Sequence, residues 1–263
     1  MPKYAANLSF LFTEQPFLDR FAAAAKAGFR AVEYMSPYEH RASEIAARLA
    51  DSGLRQALFN LPVGDWAAGE RGFAIFPDRV SEFRDGVSKA LDYASALGCD
   101  RINCIAGLAP KGADRAALEG ALLGNLAFAA EAGAKRRVRV LIEPINDVDM
   151  PGFFVNRTDE AVKLMNKVGS PNLFLQADLY HMQMMGETLA RQLEALMPRI
   201  ANIQVADAPG RHEPSTGEID YAMLLPLIDR LGYSDWIGCE YHPLDTTETG
   251  LGWMKAPWAA STP

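Results

Sequence analysis

One pattern recurs along the chain and restricts its fold more than any other. A short apolar segment rich in β-branched residues is followed by a polar loop and then by an amphipathic helix. Eight segments fit the strand part: KYAANLSFL, RAVEYM, RQALFN, DRINCIAG, RVRVLIEP, NLFLQADLY, IANIQVAD and WIGCEY. Helical faces separate them, such as the one formed by Phe83, Val87, Leu91 and Ala94. The pattern predicts an α/β protein built from eight parallel strands.

The chain length selects among the folds that eight such units allow. The 263 residues give roughly 33 residues per unit, which suits a (β/α)8 barrel of about 250 residues. A doubly wound sheet usually has a glycine-rich phosphate turn after its first strand, whereas this first strand leads into FTEQPF. No linker or low-complexity tract divides the chain. We therefore predict a single-domain (β/α)8 TIM barrel over residues 1–263.

Composition and charge argue against several classes of function. The net charge is −7 without a basic stripe, which disfavours nucleic acid as a partner. The densest basic cluster, AKRRVR, is interpreted as a solvated turn leading into a strand. No apolar run approaches the ~20 residues that span a bilayer, and the N-terminus lacks the pattern of a signal peptide. Three cysteines, mostly in apolar runs, suit reduced, buried thiols. We expect a cytoplasmic protein that does not bind membranes, and the sequence leaves a homo-oligomer open.

Acidic side chains finish several of the predicted strands. In a TIM barrel the active site lies at the C-terminal strand ends, and Glu143, Asp178 and Glu240 end three different strands there. Buried carboxylates that meet repel one another, so they need a cation or protons. Gln204 adds a neutral oxygen, and an all-oxygen set favours Mg²⁺ or Mn²⁺ over zinc. The pattern predicts a divalent metal site, with Mg²⁺ as the first candidate. Glu33 also ends a strand, but a solvated strand end explains it better when it is taken alone.

Four further residues are candidates for substrate contacts. His181 follows Asp178 by three residues, where it suits a hydrogen bond to a substrate oxygen and core packing equally. Arg71 lies in the loop NLPVGDWAAGERGF, and Arg211 and His212 lie in the loop DAPGRHEPSTGEID. Loops of this length on the catalytic face are often lids. The planar fork of arginine suits a substrate carboxylate, although a surface charge is the alternative for each.

The chain resembles the hydroxypyruvate isomerase family of the xylose-isomerase-like TIM barrels, a superfamily that also contains sugar epimerases and endonuclease IV. The resemblance covers almost the whole chain and rests on AANLSFLF, NLPVGDWAAGERG, INCIAG, LIEPIN, DMPGFF, DLYHMQ, GEID, WIGCEY and TTETGLGWMKA. It implies a divalent metal held by Glu143, Asp178, Gln204 and Glu240, with the two glutamates as proton donor and acceptor. One departure is His242, where the family pattern leads us to expect Lys.

The implied reaction interconverts hydroxypyruvate and 2-hydroxy-3-oxopropanoate, a conversion of glyoxylate metabolism. The metal would polarise the carbonyl and hydroxyl oxygens, while one carboxylate removes a proton and the facing carboxylate returns it. The similar 2-oxo-tetronate isomerases share the frame, although NLPVGDWAAGERG and IEPIN agree better with hydroxypyruvate isomerase. Three alternatives stay open: a sugar isomerase or epimerase, a DNA-repair phosphodiesterase that the acidic charge disfavours, and a non-catalytic metabolite-binding barrel.

Overall fold

A computed structural model describes residues 2–258, so Met1 and residues 259–263 of the predicted domain lie outside the described range. The strands are β1 Lys3–Asn7, β2 Ala31–Tyr34, β3 Arg55–Asn60, β4 Arg101–Cys104, β5 Arg139–Ile142, β6 Leu173–Asp178, β7 Ile200–Val205 and β8 Trp236–Cys239. Each strand pairs in parallel with the next, and β8 pairs with β1. The sheet is therefore a closed barrel of eight strands, and the predicted TIM barrel is confirmed.

Helices connect the strands and cover the outside of the barrel. They are α1 Arg20–Lys26, α2 Ala42–Ser52, α3 Val80–Leu97, α4 Arg115–Arg136, α5 Thr158–Val168, α6 Leu179–Met184, α7 Leu189–Leu196, α8 Tyr221–Arg230 and α9 Thr247–Gly250. Short 3₁₀ segments occur at Phe17–Asp19, Pro77–Arg79, Met197–Arg199 and Leu251–Lys255. In the described part of the chain, none of these helices combines the length and apolar character that crossing a bilayer requires.

The boundary between α4 and β5 differs from the sequence expectation. The strand pattern RVRVLIEP begins at Arg137, but the structure begins β5 at Arg139. Arg137 instead ends α4 in the left-handed conformation with φ 57°. Lys135 and Arg136 occupy the last helical turn, where positive charge interacts favourably with the helix dipole. The basic residues at 135–137 are exposed, as expected of a solvated segment, but only Arg137 lies in the turn, because α4 continues to Arg136.

The interior of the barrel is unusually polar near its C-terminal end. Alternate residues of each strand face the interior of a barrel, and these positions hold Asn7, Glu33, Asn103, Gln176 and Gln204, all buried. Their side chains bond to one another or to Glu143 and Glu240. Most TIM barrels fill this space with branched apolar side chains. Here the upper layer of the barrel forms a polar base for whatever occupies the C-terminal face.

The large apolar core lies between the strands and the helices. It includes Leu8, Phe21, Ile45, Leu122 and Leu225, each with no exposed surface. The three cysteines predicted to be reduced and buried are indeed buried and free within the described range. Because this core is separate from the polar upper layer, the fold can carry charged groups inside the barrel without interrupting the main apolar packing.

Candidate active site

Acidic groups from different strands meet at the C-terminal end of the barrel. Glu143 and Glu240 each follow the last residue of a strand, and Asp178 is the last residue of β6. Ligand atoms of Glu143, Asp178 and His181 lie within 4.8 Å of one another, and all three residues are buried. Glu240 joins this group through Arg211, whose Nη2 lies 2.6 Å from its Oε1 and 3.4 Å from Asp178 Oδ2. The structure thus brings the three predicted acids together.

Asp178 has two structural roles that fix its orientation. It is the N-cap of α6, and its Oδ1 accepts hydrogen bonds from the backbone N–H groups of Tyr180 and His181. An N-cap oxygen of this kind satisfies the unpaired donors of the first helical turn. The other oxygen, Oδ2, faces Arg211 and His181 Nε2 at 3.4 and 3.5 Å. The start of α6 therefore places His181 beside the carboxylate, where its Nδ1 is 2.6 Å from Asn146 Nδ2.

Neutral amides hold the two glutamates. Asn103 donates to Glu143 Oε2 at 2.7 Å, and Asn7 donates to Glu240 Oε2 at the same distance. Gln204 Nε2 donates to Glu240 Oε2 at 2.6 Å. Donors on fixed strands restrict the rotamers of both carboxylates, which is the arrangement that keeps reacting groups oriented.

The electrostatics of the cluster follow from burial. Burial, together with repulsion by Asp178, raises the pKa of Glu143, and burial raises the pKa of Asp178 against the opposing effect of Arg211. Burial likewise raises the pKa of Glu240 well above its ordinary value, and Arg211 again opposes the shift. Burial and Arg211 together lower the pKa of the His181 imidazole well below its usual range. These buried acids therefore need protons or a cation to offset their burial and repulsion, and the lowered pKa keeps the His181 imidazole neutral.

A cavity of about 340 Å³ opens above these groups. Five of the residues predicted from sequence line it: Arg71, Glu143, His181, Arg211 and Glu240. Asp178 and Gln204 lie behind this surface, bonded to groups that line it. The wall also includes His242, whose ring packs on Phe10 with centroids 4.8 Å apart. The residue that departs from the expected family pattern is thus part of the cavity wall.

Arg71 lies at the rim of this cavity on an ordered loop after β3. Its guanidinium carbon lies 3.7 Å from the centre of the Trp66 ring, and Nη1 donates to the backbone oxygens of Trp66 and Glu70. The Glu70 carboxylate pairs with Arg79 at the start of α3 and accepts a hydrogen bond from Asp65 N–H. Stacking and backbone bonds therefore hold the Arg71 charge beside the cavity.

The loop after β7 separates its two candidate residues. Arg211 has φ 55° and points inward, with its guanidinium 4.9 Å from the Phe10 ring and 5.0 Å from the Tyr180 ring. His212 lies outside the cavity lining, and its Nδ1 is 2.7 Å from the backbone oxygen of His242. A non-glycine residue in the left-handed region is strained, and such strain clusters at functional sites. The loop conformation thus directs Arg211, rather than His212, toward the acids.

Comparison with known proteins identifies the family to which this barrel belongs. The sequence model of the xylose isomerase-like TIM barrel family matches residues 21–256. The chain belongs to this family. It is 53% identical over 255 residues to a 2-oxo-tetronate isomerase of Cupriavidus necator and 48% identical over 254 residues to a hydroxypyruvate isomerase of Escherichia coli. Each alignment covers 97% of this chain and 98% of the relative. The predicted enzyme class, an isomerase, is confirmed.

Solved structures agree with the family assignment. A crystal structure titled as an AP endonuclease, family 2, from Brucella melitensis superposes with a TM-score of 0.94 at 46% identity, covering 97% of this chain and 98% of that one. A structure of an L-ribulose 3-epimerase superposes with a TM-score of 0.76 at 21% identity, covering 98% and 87%. At that lower identity the second likeness shows the fold alone.

The donor groups of this family member fit a divalent cation. Glu143, Asp178 and His181 could hold a metal ion as they stand, and carboxylate oxygens with a neutral imidazole are ordinary ligands for divalent metals. This group contains two of the four predicted ligands, Glu143 and Asp178, and adds His181, which sequence reasoning placed among the substrate contacts. In the structure Gln204 Oε1 accepts a hydrogen bond from Gln176, while its nitrogen faces Glu240.

Sequence reasoning missed the amide layer behind the acids. Asn103 and Gln176 bond to the site, and Gln176 precedes Asp178 by two residues, so both side chains of β6 point to the same face. A polar residue two positions before a strand-end acid points to the same face of the strand, so the sequence could have identified Gln176 as a site residue. The partners on the next strand could not be identified in this way, because Gln176 of β6 and Gln204 of β7 are 28 positions apart in the chain.

Proposed function

We propose that this protein is a metal-assisted isomerase that moves a carbonyl group between C2 and C3 of a short 2-oxo acid. Its first candidate substrate pair is hydroxypyruvate and 2-hydroxy-3-oxopropanoate. The observation that carries the proposal is that Glu143 and Glu240 line one cavity from strands three apart in the ring of eight. Two carboxylates placed around one small ligand suit a reaction in which a proton leaves one carbon and arrives at the next.

The raised pKa values of the two glutamates support acid–base work. A carboxyl group whose pKa lies nearer to neutrality both accepts and returns a proton efficiently, and burial raises the pKa of each glutamate. One carboxylate removes the proton on C3 and the other delivers a proton to C2. The hydroxyl proton passes from the C3 oxygen to the C2 oxygen, so the composition of the molecule is unchanged. Asn103 and Asn7 keep the two carboxylates oriented during the transfer.

Glu143, Asp178, Gln204 and Glu240 are the proposed metal ligands, and His181 is the further donor that the structure adds. Lewis-acid polarisation of the substrate's carbonyl and hydroxyl oxygens is the chemistry that Mg²⁺ or Mn²⁺ supplies when bound. Among the substrate contacts, Arg71 at the rim suits the carboxylate and Arg211 suits the reacting oxygens. His181 moves from its predicted contact with the substrate to the metal ligands, because Asn146 occupies its Nδ1. His212 supports the wall by its contact with the His242 backbone.

A four-carbon 2-oxo acid is the second candidate substrate. A further cavity of about 560 Å³ adjoins the first and shares Ser9, Met35 and Trp66 with it. Its wall also carries Asp65 and His40, which offer polar partners to an additional hydroxyl group. The relative that is 53% identical is named a 2-oxo-tetronate isomerase. Both substrates undergo the same carbonyl shift, so this alternative leaves the roles of the two glutamates unchanged.

The test of the function is isomerisation of hydroxypyruvate against a four-carbon 2-oxo acid, in D₂O, with chelator and after addition of Mg²⁺ or Mn²⁺. We expect turnover that chelation abolishes and metal restores, with solvent deuterium in the product. Binding of substrate without deuterium exchange would indicate a non-catalytic barrel instead. Cleavage of abasic DNA by the metal-loaded protein would favour the phosphodiesterase alternative.

Replacing either glutamate by its amide tests the proton-transfer roles. Glu143→Gln and Glu240→Gln preserve shape but cannot take up a proton, so we expect kcat to fall by about 10²–10⁴-fold for each. Circular dichroism and Tm should show that both variants fold. Glu131→Gln is the matched control, because Glu131 is exposed on α4, where it pairs with Lys135. Near-normal turnover by either variant would rule out the two-carboxylate mechanism.

A further inference from the structure

Glu33 is a buried acid that the proposed mechanism does not use. It lies in β2 with no exposed surface, and within residues 2–258 it forms no salt bridge. Its Oε1 accepts hydrogen bonds from Gln204 Nε2 at 2.7 Å and from Asn7 Nδ2 at 3.1 Å, while Oε2 is buried without a partner. A buried carboxyl group without a cationic partner is costly. A function that depends on the contacts of Glu33 would offset this cost.

The contacts of Glu33 fix the orientation of one amide. Gln204 Nε2 donates to Glu33, and Gln204 Oε1 accepts from Gln176 Nε2 at 2.7 Å. A carboxylate oxygen accepts hydrogen bonds and cannot donate them. Glu33 and Glu240, whose Oε2 accepts from the same nitrogen at 2.6 Å, therefore both select the rotamer in which the Gln204 amide nitrogen faces them. The amide oxygen then faces Gln176. That oxygen keeps a second lone pair after accepting from Gln176.

β8, which β1 separates from β2 in the barrel, leaves room for this carboxyl group. A Cβ atom on Gly238 of β8 would lie 2.2 Å from Glu33 Oε1 and 2.5 Å from Oε2. The φ of Gly238 lies outside the left-handed region that favours glycine. Space, rather than backbone conformation, is therefore what demands a glycine there. The packing of β8 against Glu33 fixes where the acceptor lies and thus which way Gln204 turns.

We propose that Glu33 is a positioning residue that presents the side-chain oxygen of Gln204 to the metal ion. The inference rests on the proposed function, since it presumes that Gln204 is a metal ligand. Amides coordinate divalent cations through oxygen, so a reversed amide would place N–H₂ where a ligand is needed. Residues that orient a ligand in this way influence metal affinity by about 10–100-fold when they are replaced.

Binding of Mn²⁺ to the metal-free protein, followed by the electron paramagnetic resonance of the free ion, tests the proposal without measuring activity. Glu33→Leu removes the one of the two acceptors that is not itself a proposed metal ligand, and we expect Mn²⁺ to bind about 10–100-fold more weakly. Glu33→Gln keeps an acceptor oxygen at the same reach, so its Kd should stay within about threefold of wild type. In the Gln204→Ala background, Glu33→Leu should cause no further loss, because the residue acts through Gln204.

Two results would overturn the proposal: wild-type Mn²⁺ affinity in Glu33→Leu, or an equal loss from Glu33→Leu with and without Gln204. A purely structural role would lower Tm without changing the Kd. If Glu33→Leu does not fold, Glu33→Asp carries the same comparison, since it withdraws the carboxylate by one methylene and keeps its charge. Failure of wild type to bind Mn²⁺ would reject the proposed metal site, and this inference with it. Tight wild-type binding with unaffected variants rejects only the role of Glu33.

Discussion

Arg71 is the residue whose proposed role is most open to direct measurement. Its guanidinium lies on Trp66 at the cavity rim, where it is placed to bind a substrate carboxylate. We expect Arg71→Ala to raise KM about 10–100-fold with a small change in kcat, because a charge-assisted hydrogen bond contributes about 1.5–3 kcal/mol. Steady-state kinetics would measure both constants. Arg84→Ala is the control, since Arg84 stacks on Phe128 away from the cavity. An unchanged KM would exclude Arg71 from carboxylate binding.

Single site residues were predictable from sequence where only one interpretation explained the residues around them. Glu143 and Glu240 follow apolar runs, and an acid in that position stands out in the printed chain. Glu33 did not stand out as a site residue, because a solvated strand end explains a single acid better than a site does. Its partner Gln204 lies 171 positions away in the chain. Only closure of the barrel brings these two side chains together, so periodicity along one strand could not reveal the contact.

At the scale of a loop, two glycines after β3 allow the effect of backbone strain to be measured separately from that of steric crowding. Gly69 and Gly72 both have φ 93°, so alanine is strained equally at each. A Cβ on Gly72 would lie 2.3 Å from the Ile105 backbone oxygen, whereas nothing lies within 4 Å of one on Gly69. We expect Gly72→Ala to displace the segment that carries Arg71, raising KM and lowering Tm more than Gly69→Ala does. Kinetics and thermal unfolding of both variants provide the measurement, and equal effects would show that the close approach to Ile105 is unimportant.

Strands were easier to predict than the loops between them. The period-two and apolar patterns place all eight strands, since each strand is buried against the helices whatever its neighbours are. The loop after β7 has a conformation that length alone did not predict. Asp207 organises it by accepting hydrogen bonds from the backbone N–H groups of Ser215, Thr216 and Ile219. Those bonds join positions up to 12 residues apart, so the inward turn of Arg211 depends on tertiary structure.

At the scale of the whole molecule, the two ends of the barrel have different tasks. The C-terminal end holds buried acids that repel one another, and a bound cation would offset that repulsion. The N-terminal end is closed by ion pairs, in which Arg101 of β4 is 3% exposed and bonds to Asp235 Oδ1 at 2.7 Å and to the Ala201 backbone oxygen. Arg139 of β5 pairs with Asp100 and Asp235. The repeated strand–helix pattern of the sequence predicted the barrel. It did not predict these ion pairs, because only the order of the strands around the closed barrel brings their residues together.

Asp235→Ala tests whether this network stabilises the barrel independently of the site. The substitution leaves the buried Arg101 charge with Asp100 as its remaining carboxylate, and breaking a buried pair costs about 3–5 kcal/mol. Asp235 is 32% exposed, so solvent reduces the loss, and we expect the free energy of unfolding to fall by about 2–3 kcal/mol. Urea denaturation would measure this change in the free energy of unfolding.

The control Asp92→Ala removes an exposed pair with Arg136 and should cost less than about 1 kcal/mol. Because Asp235 precedes β8 at the end opposite Glu240, kcat should not change. A loss of kcat without a loss of stability would mean that the two ends of the barrel are coupled.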